Sequence, residues 1–287
     1  MPAELSNSES PPSQKPRRSA APITRPPDHQ ITRSQIPSYY TALLARYGPQ
    51  NWWPARSRFE VIVGAYLTQN TNWSNVEKAM INLRRGRRLT VNAMREMPLD
   101  ELQLLVRPSG YFRQKARNLK AFIAFLDQQY SGSLTRMFAG PTEKLRAELL
   151  DLNGVGPETA DSILLYAGNH PVFVVDAYTR RVLLRHGIID EKTGYEEIRA
   201  MIEHAISSSE AGSLVVPNLG ADPRHPVSRI SSSARGALAR HYNELHALIV
   251  RVGNHYCRTK PSCEGCPLQP FLKAPAGATA QGARESY

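Results

Sequence analysis

The chain has 287 residues, of which 41% are hydrophobic, and carries a formal net charge of +11 with a pI of about 9.8. This length can bury a sizeable core, and the basic surplus favours a polyanionic partner. No apolar run approaches the roughly 18 residues of a membrane-spanning helix, and no apolar signal-peptide core follows the N-terminus. We therefore expect a cytoplasmic, nucleoid-associated protein with no membrane partner.

Stretches of low hydrophobicity divide the chain. Residues 1–36 are rich in Pro, Ser and Arg and cannot bury enough apolar surface to offset their ordering entropy, which predicts a disordered basic tail. Residues 207–235 lack periodicity and predict a flexible insertion. Residues 273–287 predict a disordered end. The predicted ordered segments are a helical lobe at 37–99, a second helical lobe at 100–217, and a C-terminal helix with a cysteine-containing loop at 236–272.

The ordered segments show helical periodicity, which predicts an all-α fold. A first helix starts near Pro37 and stops before Gly48 and Pro49, which together end a helix. Phe59 to Leu67 then form an apolar helix, and Ser74 is the predicted N-cap of the next one. Later helices are predicted at 100–106, 114–130, 142–150, 157–167, 196–206 and from 236 onward.

Two of these helices meet at a turn with two glycines, Gly154-Val155-Gly156. Glycine favours a turn that needs a positive φ or a close backbone approach, and Pro157 suits the first position of the second helix. The unpaired amides at the start of that helix form an anion site, for which a DNA phosphate is the natural occupant. The three turn residues and Thr159 are therefore predicted to bind DNA.

Asp176 follows a short apolar run, Phe173-Val174-Val175, at the start of another helix, where an aspartate is first of all an N-cap. The glycine turn followed by this helix start resembles the helix-hairpin-helix DNA glycosylase superfamily, in particular the endonuclease III group, from Tyr39 to Leu268. The resemblance implies a two-lobed all-α fold with a C-terminal cysteine loop, in which the N-terminal and C-terminal helices share a lobe. It also implies that Asp176 is catalytic, and that a monomer acts on double-stranded DNA with a damaged base.

Glu158 stands where bifunctional members of that group carry a lysine. The lysine forms a Schiff base with the sugar, which a carboxylate cannot do. The resemblance therefore implies hydrolysis alone, in which Asp176 stabilises positive charge on the deoxyribose while water attacks the anomeric carbon. Two alternatives stay open: a bifunctional glycosylase and lyase on oxidised pyrimidines that uses another amine, and a DNA-binding protein without enzymatic activity.

The tryptophans suggest a base pocket. Trp52-Trp53-Pro54, followed by Leu67-Thr68-Gln69-Asn70-Thr71, resembles the 3-methyladenine DNA glycosylase III branch, which also lacks the lysine. The resemblance implies that Trp52, Trp53 and Trp73 line or flank the pocket, although ordinary packing explains Trp52 and Trp53 equally well. Because indole faces attract cations by about 0.5–2 kcal/mol, an alkylated purine is the implied substrate.

Gln69 is implied as the side chain that wedges into the duplex. A base that is excised must leave the stack, so a protein group has to fill the gap. The alternative is a surface amide at a helix end. Tyr111 and Lys115 lie in another segment like that of the family, a turn before a helix, where a solvated face is favoured over a phosphate contact.

The three cysteines, Cys257, Cys263 and Cys266, all lie in one short stretch, which indicates a metal more than disulfides. They resemble the family's iron–sulfur loop, in which four thiolates hold a [4Fe–4S] cluster. The fourth cysteine would lie near Leu272. Three interpretations remain: a cluster with an unusual fourth ligand, a zinc site that uses His255, or a decayed loop with free thiols.

Overall fold

The computed structural model describes residues 35–53, 55–208, 228, 230 and 235–272. The predicted tails at 1–36 and 273–287 lie outside the described residues except for 35 and 36, and so does most of the predicted insertion at 207–235. The described ranges are helical and contain no β-strand, which confirms the all-α prediction. No helix in these ranges is both long and apolar enough to cross a membrane.

The helices are numbered in chain order. They are α1 (Gln35–Tyr47), α2 (Arg58–Thr68), α3 (Trp73–Arg85), α4 (Val91–Glu96), α5 (Leu99–Val106), α6 (Phe112–Tyr130), α7 (Leu134–Met137), α8 (Thr142–Leu150), α9 (Pro157–Ser162), α10 (Ala177–Arg185), α11 (Tyr195–Ser207) and α12 (Ala237–His255). A π-helical segment, Ile163–Gly168, continues α9, and 3₁₀ turns lie at Arg107–Ser109 and Gln269–Phe271.

Several helix starts differ from the predicted ones by one or two residues, and two of these differences have a local cause. Helix α3 begins at Trp73 rather than after Ser74, because the Asn72 side chain accepts a hydrogen bond from the Asn75 amide at 3.0 Å and so caps the helix earlier. Helix α6 begins at Phe112 rather than Gln114, directly after Tyr111, whose φ of 44° is left-handed.

The helix contacts form two groups. Helix α2 is buried from Phe59 to Leu67 and packs against α3, α6, α9 and the π-helical segment. In the other group, α12 packs against α1, α10 and α11. The N-terminal and C-terminal helices therefore lie together, as the resemblance implied. The groups also meet where the π-helical segment packs against α12, and this contact forms one wall of the candidate site.

Candidate active site

The glycine turn joins α8 to α9 and lies against α6. Gly154 has a φ of +79°, as predicted for one of the two glycines, and a Cβ there would lie 2.0 Å from Nδ2 of Asn118. Gly156 instead has extended backbone with a φ of −92° and open space around it. Both the positive φ and the contact with Asn118 therefore exclude a side chain at position 154. Gly156 is the N-cap residue of α9, and because it has no side chain it leaves the first amides of that helix accessible.

Gln69 lies beside this turn. Its amide nitrogen donates to the carbonyl of Gly154 at 2.8 Å and to Oγ1 of Thr159 at 2.9 Å. The structure thus brings together the residues predicted to form the wedge and the phosphate clamp. Gln69 is held by the hairpin rather than extending freely from the end of α2.

Lys115 departs from the prediction. Its side chain is buried, and Nζ donates to the carbonyls of Leu67 at 2.9 Å and Ser109 at 2.6 Å. Burial lowers the pKa of this ammonium to about 8. For Lys115 the expected solvated face and phosphate contact are therefore wrong, because α2 and the 3₁₀ turn supply the lysine with backbone acceptors that the sequence does not show. Tyr111 in the same segment is 73% exposed, as expected of a solvated face. The lysine ties down the last turn of α2, directly before Gln69.

Asp176 begins α10 and is the predicted N-cap. Oδ1 accepts the Thr179 amide at 2.7 Å, and Oδ2 lies 3.5 Å from Nε2 of His246. The side chain is only 13% exposed. Burial by itself would raise the pKa of this carboxyl, but His246 and the hydrogen bonds from Thr179 outweigh it and hold the pKa below its usual value. The site therefore contains a largely buried carboxylate that stays ionised.

A buried network fixes the backbone in front of Asp176. The Val175 amide donates to the hydroxyl of Tyr195 at 3.3 Å, and that hydroxyl donates to Asp161 at 2.9 Å. Arg146 binds the same carboxylate through two nitrogens at 2.7 and 3.1 Å. The bidentate pair of Arg146 and Asp161 anchors Tyr195. Tyr195 in turn holds Val175, the residue directly before Asp176.

Glu158 lies in the first turn of α9, facing Asp176. It keeps part of its surface in solvent, but burial of the carboxyl and then the charge of Asp176 raise its pKa to about 6, against an opposing effect of His246. The pKa of Asp176 is thus lowered while that of the neighbouring Glu158 carboxyl is raised. This is the arrangement typical of sites in which two carboxyls have different roles.

The three tryptophans form one aromatic cluster. Ring centroids lie 5.9 Å apart for Trp52 and Trp53, 6.2 Å for Trp52 and Trp73, and 5.5 Å for Trp53 and Trp73. Trp53 packs over Gly64, where a Cβ would approach its ring to 3.2 Å. Trp73 is 37% exposed and Trp53 8%. The cluster therefore combines a buried base with one face that a ligand can reach.

The cluster is connected to Asp176 by ring contacts. The Trp53 ring lies 5.2 Å from Tyr166, and the Tyr166 ring lies 5.8 Å from His246. His246 in turn faces Asp176. Two intervening rings, Tyr166 and His246, therefore link the tryptophan cluster to Asp176.

Two functional candidates on α12 were not predicted. Besides His246, the Glu244 carboxylate accepts the backbone N–H of Gln50 at 2.6 Å and that of Asn51, so it holds the loop that carries Trp52. Both side chains are buried, as are those of His241 and Asn243 on the same helix. A run of buried polar residues inside an amphipathic helix is the signal that would have found them, but only burial distinguishes it from a solvated face.

The cysteines lie at the other end of α10. All three line a cavity of about 260 Å³, with Arg185 and His186 from α10 and with Leu272. The His186 ring is already bonded to the Tyr39 hydroxyl at 2.8 Å and to the backbone of Phe271. Leu272, where a fourth cysteine was expected, offers no ligand. The three thiols therefore share one cavity, and they do not form a four-thiolate site.

A zinc site is not formed in the described part of the chain. No group of three or more His, Cys, Asp or Glu side chains is placed there to hold a metal ion. The His255 ring, the predicted extra ligand, packs against Tyr47 with centroids 6.0 Å apart. The zinc interpretation therefore has no support from the geometry, and the cluster interpretation rests on the resemblance and the shared cavity alone.

Comparison with known proteins defines the class. The sequence profile described as "HhH-GPD superfamily base excision DNA repair protein" matches residues 63–207. A Methanocaldococcus jannaschii protein named as a DNA repair glycosylase is 42% identical over 236 residues, which span 81% of this chain and 93% of that protein. The chain belongs to the HhH-GPD superfamily of base excision DNA repair proteins, and it is an enzyme of the DNA N-glycosylase class, which acts on glycosyl bonds.

Two solved structures provide a further comparison. The 3-methyladenine DNA glycosylase of H. pylori, bound to 1,N6-ethenoadenine, superposes with a TM-score of 0.62 and 26% identity over 78% of this chain and 97% of that one. Endonuclease III in a trapped covalent complex with DNA has a TM-score of 0.61 and 22% identity over 84% of this chain and 95% of that one. The second likeness concerns the fold. Both agree with the resemblance found in the sequence.

Proposed function

We propose that this glycosylase hydrolyses the N-glycosidic bond of an alkylated purine in double-stranded DNA and forms no Schiff base. The observation that carries the proposal is the largely buried, ionised Asp176, which His246 and Tyr166 link to the tryptophan cluster, with a carboxyl rather than an amine at Glu158. The ligand of the H. pylori relative is a modified adenine, which supports a purine lesion.

The pocket suits a cationic base. An alkylated purine carries a positive charge, and stacked indole faces attract such a charge by about 0.5–2 kcal/mol per favourable contact. The exposed face of Trp73 is the part of the cluster open to a base extruded from the duplex. Because alkylation already weakens the glycosidic bond, stacking and one carboxylate suffice.

The chemistry needs one anion and one water molecule. As the bond between C1′ and the base nitrogen breaks, its electron pair leaves with the base, and the sugar gains positive charge that Asp176 stabilises. Water then forms the new bond to C1′ and gives up a proton to solvent or to the Asp176 carboxylate. The product is free base and an abasic site in an uncut strand.

The bifunctional alternative needs a nucleophilic amine. Lys115 is the amine whose pKa is lowered to about 8, but it is 3% exposed and bonded to two carbonyls. Lys115 is therefore not placed to form a Schiff base with the sugar, and the Glu158 carboxylate cannot form one. The geometry therefore favours hydrolysis without strand cleavage.

DNA binding is assigned to the hairpin and Gln69. We infer that the amides at the start of α9 take a phosphate and that Gln69 fills the space left by the extruded base. The basic surplus of the chain supports a polyanionic partner. We infer that the enzyme acts as a monomer, as the family resemblance implies.

A panel of lesion duplexes tests this function. Each duplex is scored for release of free base and, separately, for strand cleavage without alkali. We expect base release from methylated purines, no strand cleavage, and no borohydride-trapped adduct. Trapping of a covalent protein–DNA adduct, or activity confined to oxidised pyrimidines, would replace the proposal with the bifunctional alternative.

We also propose that the cysteine loop holds an iron–sulfur cluster through Cys257, Cys263 and Cys266, with a fourth ligand from outside the protein. The shared cavity and Arg185, which donates to Sγ of Cys257 at 3.3 Å, suit an anionic group. Iron and sulfide analysis of anaerobically purified protein, with its visible spectrum, tests this. Protein free of iron, with three titratable thiols, would support the decayed loop instead.

A further inference from the structure

His246 and Tyr166 form a buried pair beside Asp176, and the hydrolysis described above does not use it. The Tyr166 hydroxyl is hydrogen-bonded to Nδ1 of His246. Nε2 of the same ring lies 3.5 Å from Oδ2 of Asp176. The His246 side chain is 7% exposed, and Tyr166 is fully buried. A titratable ring thus lies between a phenol and the proposed catalytic carboxylate, shielded from solvent.

The phenol determines which nitrogen carries the ring proton. Burial raises the pKa of Tyr166 well above its usual range, so the hydroxyl keeps its proton and can donate it. When it donates to Nδ1, that nitrogen carries no proton, and the ring proton lies on Nε2. Nε2–H then faces the carboxylate of Asp176.

We propose that His246 is a positioning residue, which holds the Asp176 carboxylate through Nε2–H while Tyr166 fixes its tautomer. The Thr179 amide holds Oδ1 at 2.7 Å. Nε2 of His246 is buried without another hydrogen-bond partner and lies 3.5 Å from Oδ2. A hydrogen bond across that distance would restrain the second oxygen and orient the carboxylate before substrate binds. Such preorganisation is what makes an anion effective against a developing positive charge. This inference rests on the role of Asp176 in the proposed function.

The surroundings determine how removal of the ring would appear in a pH profile. The charged or titratable groups that face His246 are Glu158 on α9, Asp176 and Tyr166. The charges of Arg235 and Glu244 act on Tyr166 in turn. Without His246, burial would still raise the pKa of the Asp176 carboxyl, and only the hydrogen bonds from Thr179 would oppose it. A larger fraction of Asp176 would be protonated under acidic conditions, so the acidic limb of activity should move to higher pH.

The experiment compares His246→Ala, His246→Gln and Tyr166→Phe with the parent enzyme. Single-turnover base release is measured from acidic to basic pH, with DNA affinity and thermal unfolding in parallel. For His246→Ala we expect a rate loss between about 10-fold and 100-fold, an acidic limb shifted upward by about one pH unit, and unchanged lesion-DNA affinity. His246→Gln should recover part of the rate, because its carboxamide can donate an N–H to Oδ2. Tyr166→Phe should lose less than His246→Ala.

His241→Gln is the matched control. His241 is also buried on α12, and its Nδ1 is bonded to a buried tyrosine hydroxyl, Tyr40, at 3.1 Å. We expect it to lower stability without moving the acidic limb. If the His246 variants behave like this control, the inference is overturned. If Asp176→Asn itself retains base release, the proposed function fails instead. Should His246→Ala not fold, His246→Gln and Tyr166→Phe still show whether the limb moves.

Discussion

The two ends of helix α10 are built in different ways. At the N-terminal end, the Asp176 carboxylate has protein partners on both oxygens, and Val175 before it is fixed by Tyr195. At the C-terminal end, three thiols surround a cavity and a leucine occupies the expected place of the fourth. One end is complete within the described chain, and the other has a ligand set that the chain does not complete.

The C-terminal end is nevertheless held in place without a metal. Arg181 donates to the carbonyls of Cys257 and Gly253, at 2.6 and 3.1 Å, and Arg185 donates to those of Arg258 and Thr259. The guanidinium groups attach the cysteine loop to α10 through its backbone. On the proposed function, we therefore expect chemistry to depend on the N-terminal end of α10 and the C-terminal end to contribute stability. The predictions below test that division.

The largest effect is expected at Asp176. Asp176→Asn should lower base release by at least about 100-fold, because the developing charge on the sugar loses its anion. Asparagine is also a good N-cap, so thermal unfolding and lesion-DNA affinity should change little. Single-turnover kinetics and a binding titration check both parts. Base release close to that of the parent enzyme would show that the N-terminal end of α10 is not the reaction centre.

The next effect is expected at the exposed tryptophan. Trp73→Ala should reduce base release about tenfold, since one stacked indole face is worth about 0.5–2 kcal/mol to a cationic base. The loss should appear at low substrate concentration. Leu104→Ala removes a side chain that is 66% exposed on α5 and serves as the control. An equal loss in the two variants would remove Trp73 from the pocket.

A stability effect without a catalytic one is expected at the C-terminal end. Arg185→Ala removes the bonds to Arg258 and Thr259 and should lower the free energy of unfolding by about 1–3 kcal/mol. Cys257 should become more reactive toward a thiol reagent, while base release at low temperature stays unchanged.

Arg180→Ala is its control, because Arg180 on the same helix donates to the carbonyls of Thr193 and Glu191, each at 2.7 Å, away from the cysteines. Loss of base release in Arg185→Ala alone would show that the two ends of α10 are coupled.

The smallest effect is a change in the pH dependence of stability at Glu244. Burial raises the pKa of this carboxyl from 4.5 to about 7. Because the pKa of the folded state is the higher one, the contribution of Glu244 to stability is complete below the unfolded value and is lost as pH rises through about 7. Thermal unfolding across this interval should fall less steeply for Glu244→Gln than for the parent. Parallel curves would show that the Trp52 loop is held independently of this charge.

The sequence was sufficient to predict those features of the site that depend on neighbouring residues in the chain. The Asp176 cap follows from its position before a helix, and the glycine with positive φ follows from the turn itself. The tryptophans and Glu158 were identified from motifs that resemble a family, and their proximity is a property of the fold.

What the sequence could not show is burial created by distant segments. His246 is 70 positions from Asp176 in numbering, and nothing in a helix with alternating polar residues shows which of them will face a packed wall. The prediction for Lys115 was wrong for the same reason, because the two carbonyls that accept its hydrogen bonds belong to other elements of the fold. Asn72 and Ser74 are both good caps, so composition could not choose between them.

Gln69 has a consequence for how damage is located. Its two bonds to the hairpin set the separation between the residue proposed to enter the stack and the amides proposed to grip the backbone before any duplex arrives. On this proposal the distance between the inserted side chain and the phosphate contact is fixed. Wherever the amides bind a strand, the nucleotide being inspected lies at one constant offset along that strand. Search along a genome would then require only translation of the whole clamp, with no readjustment at each step.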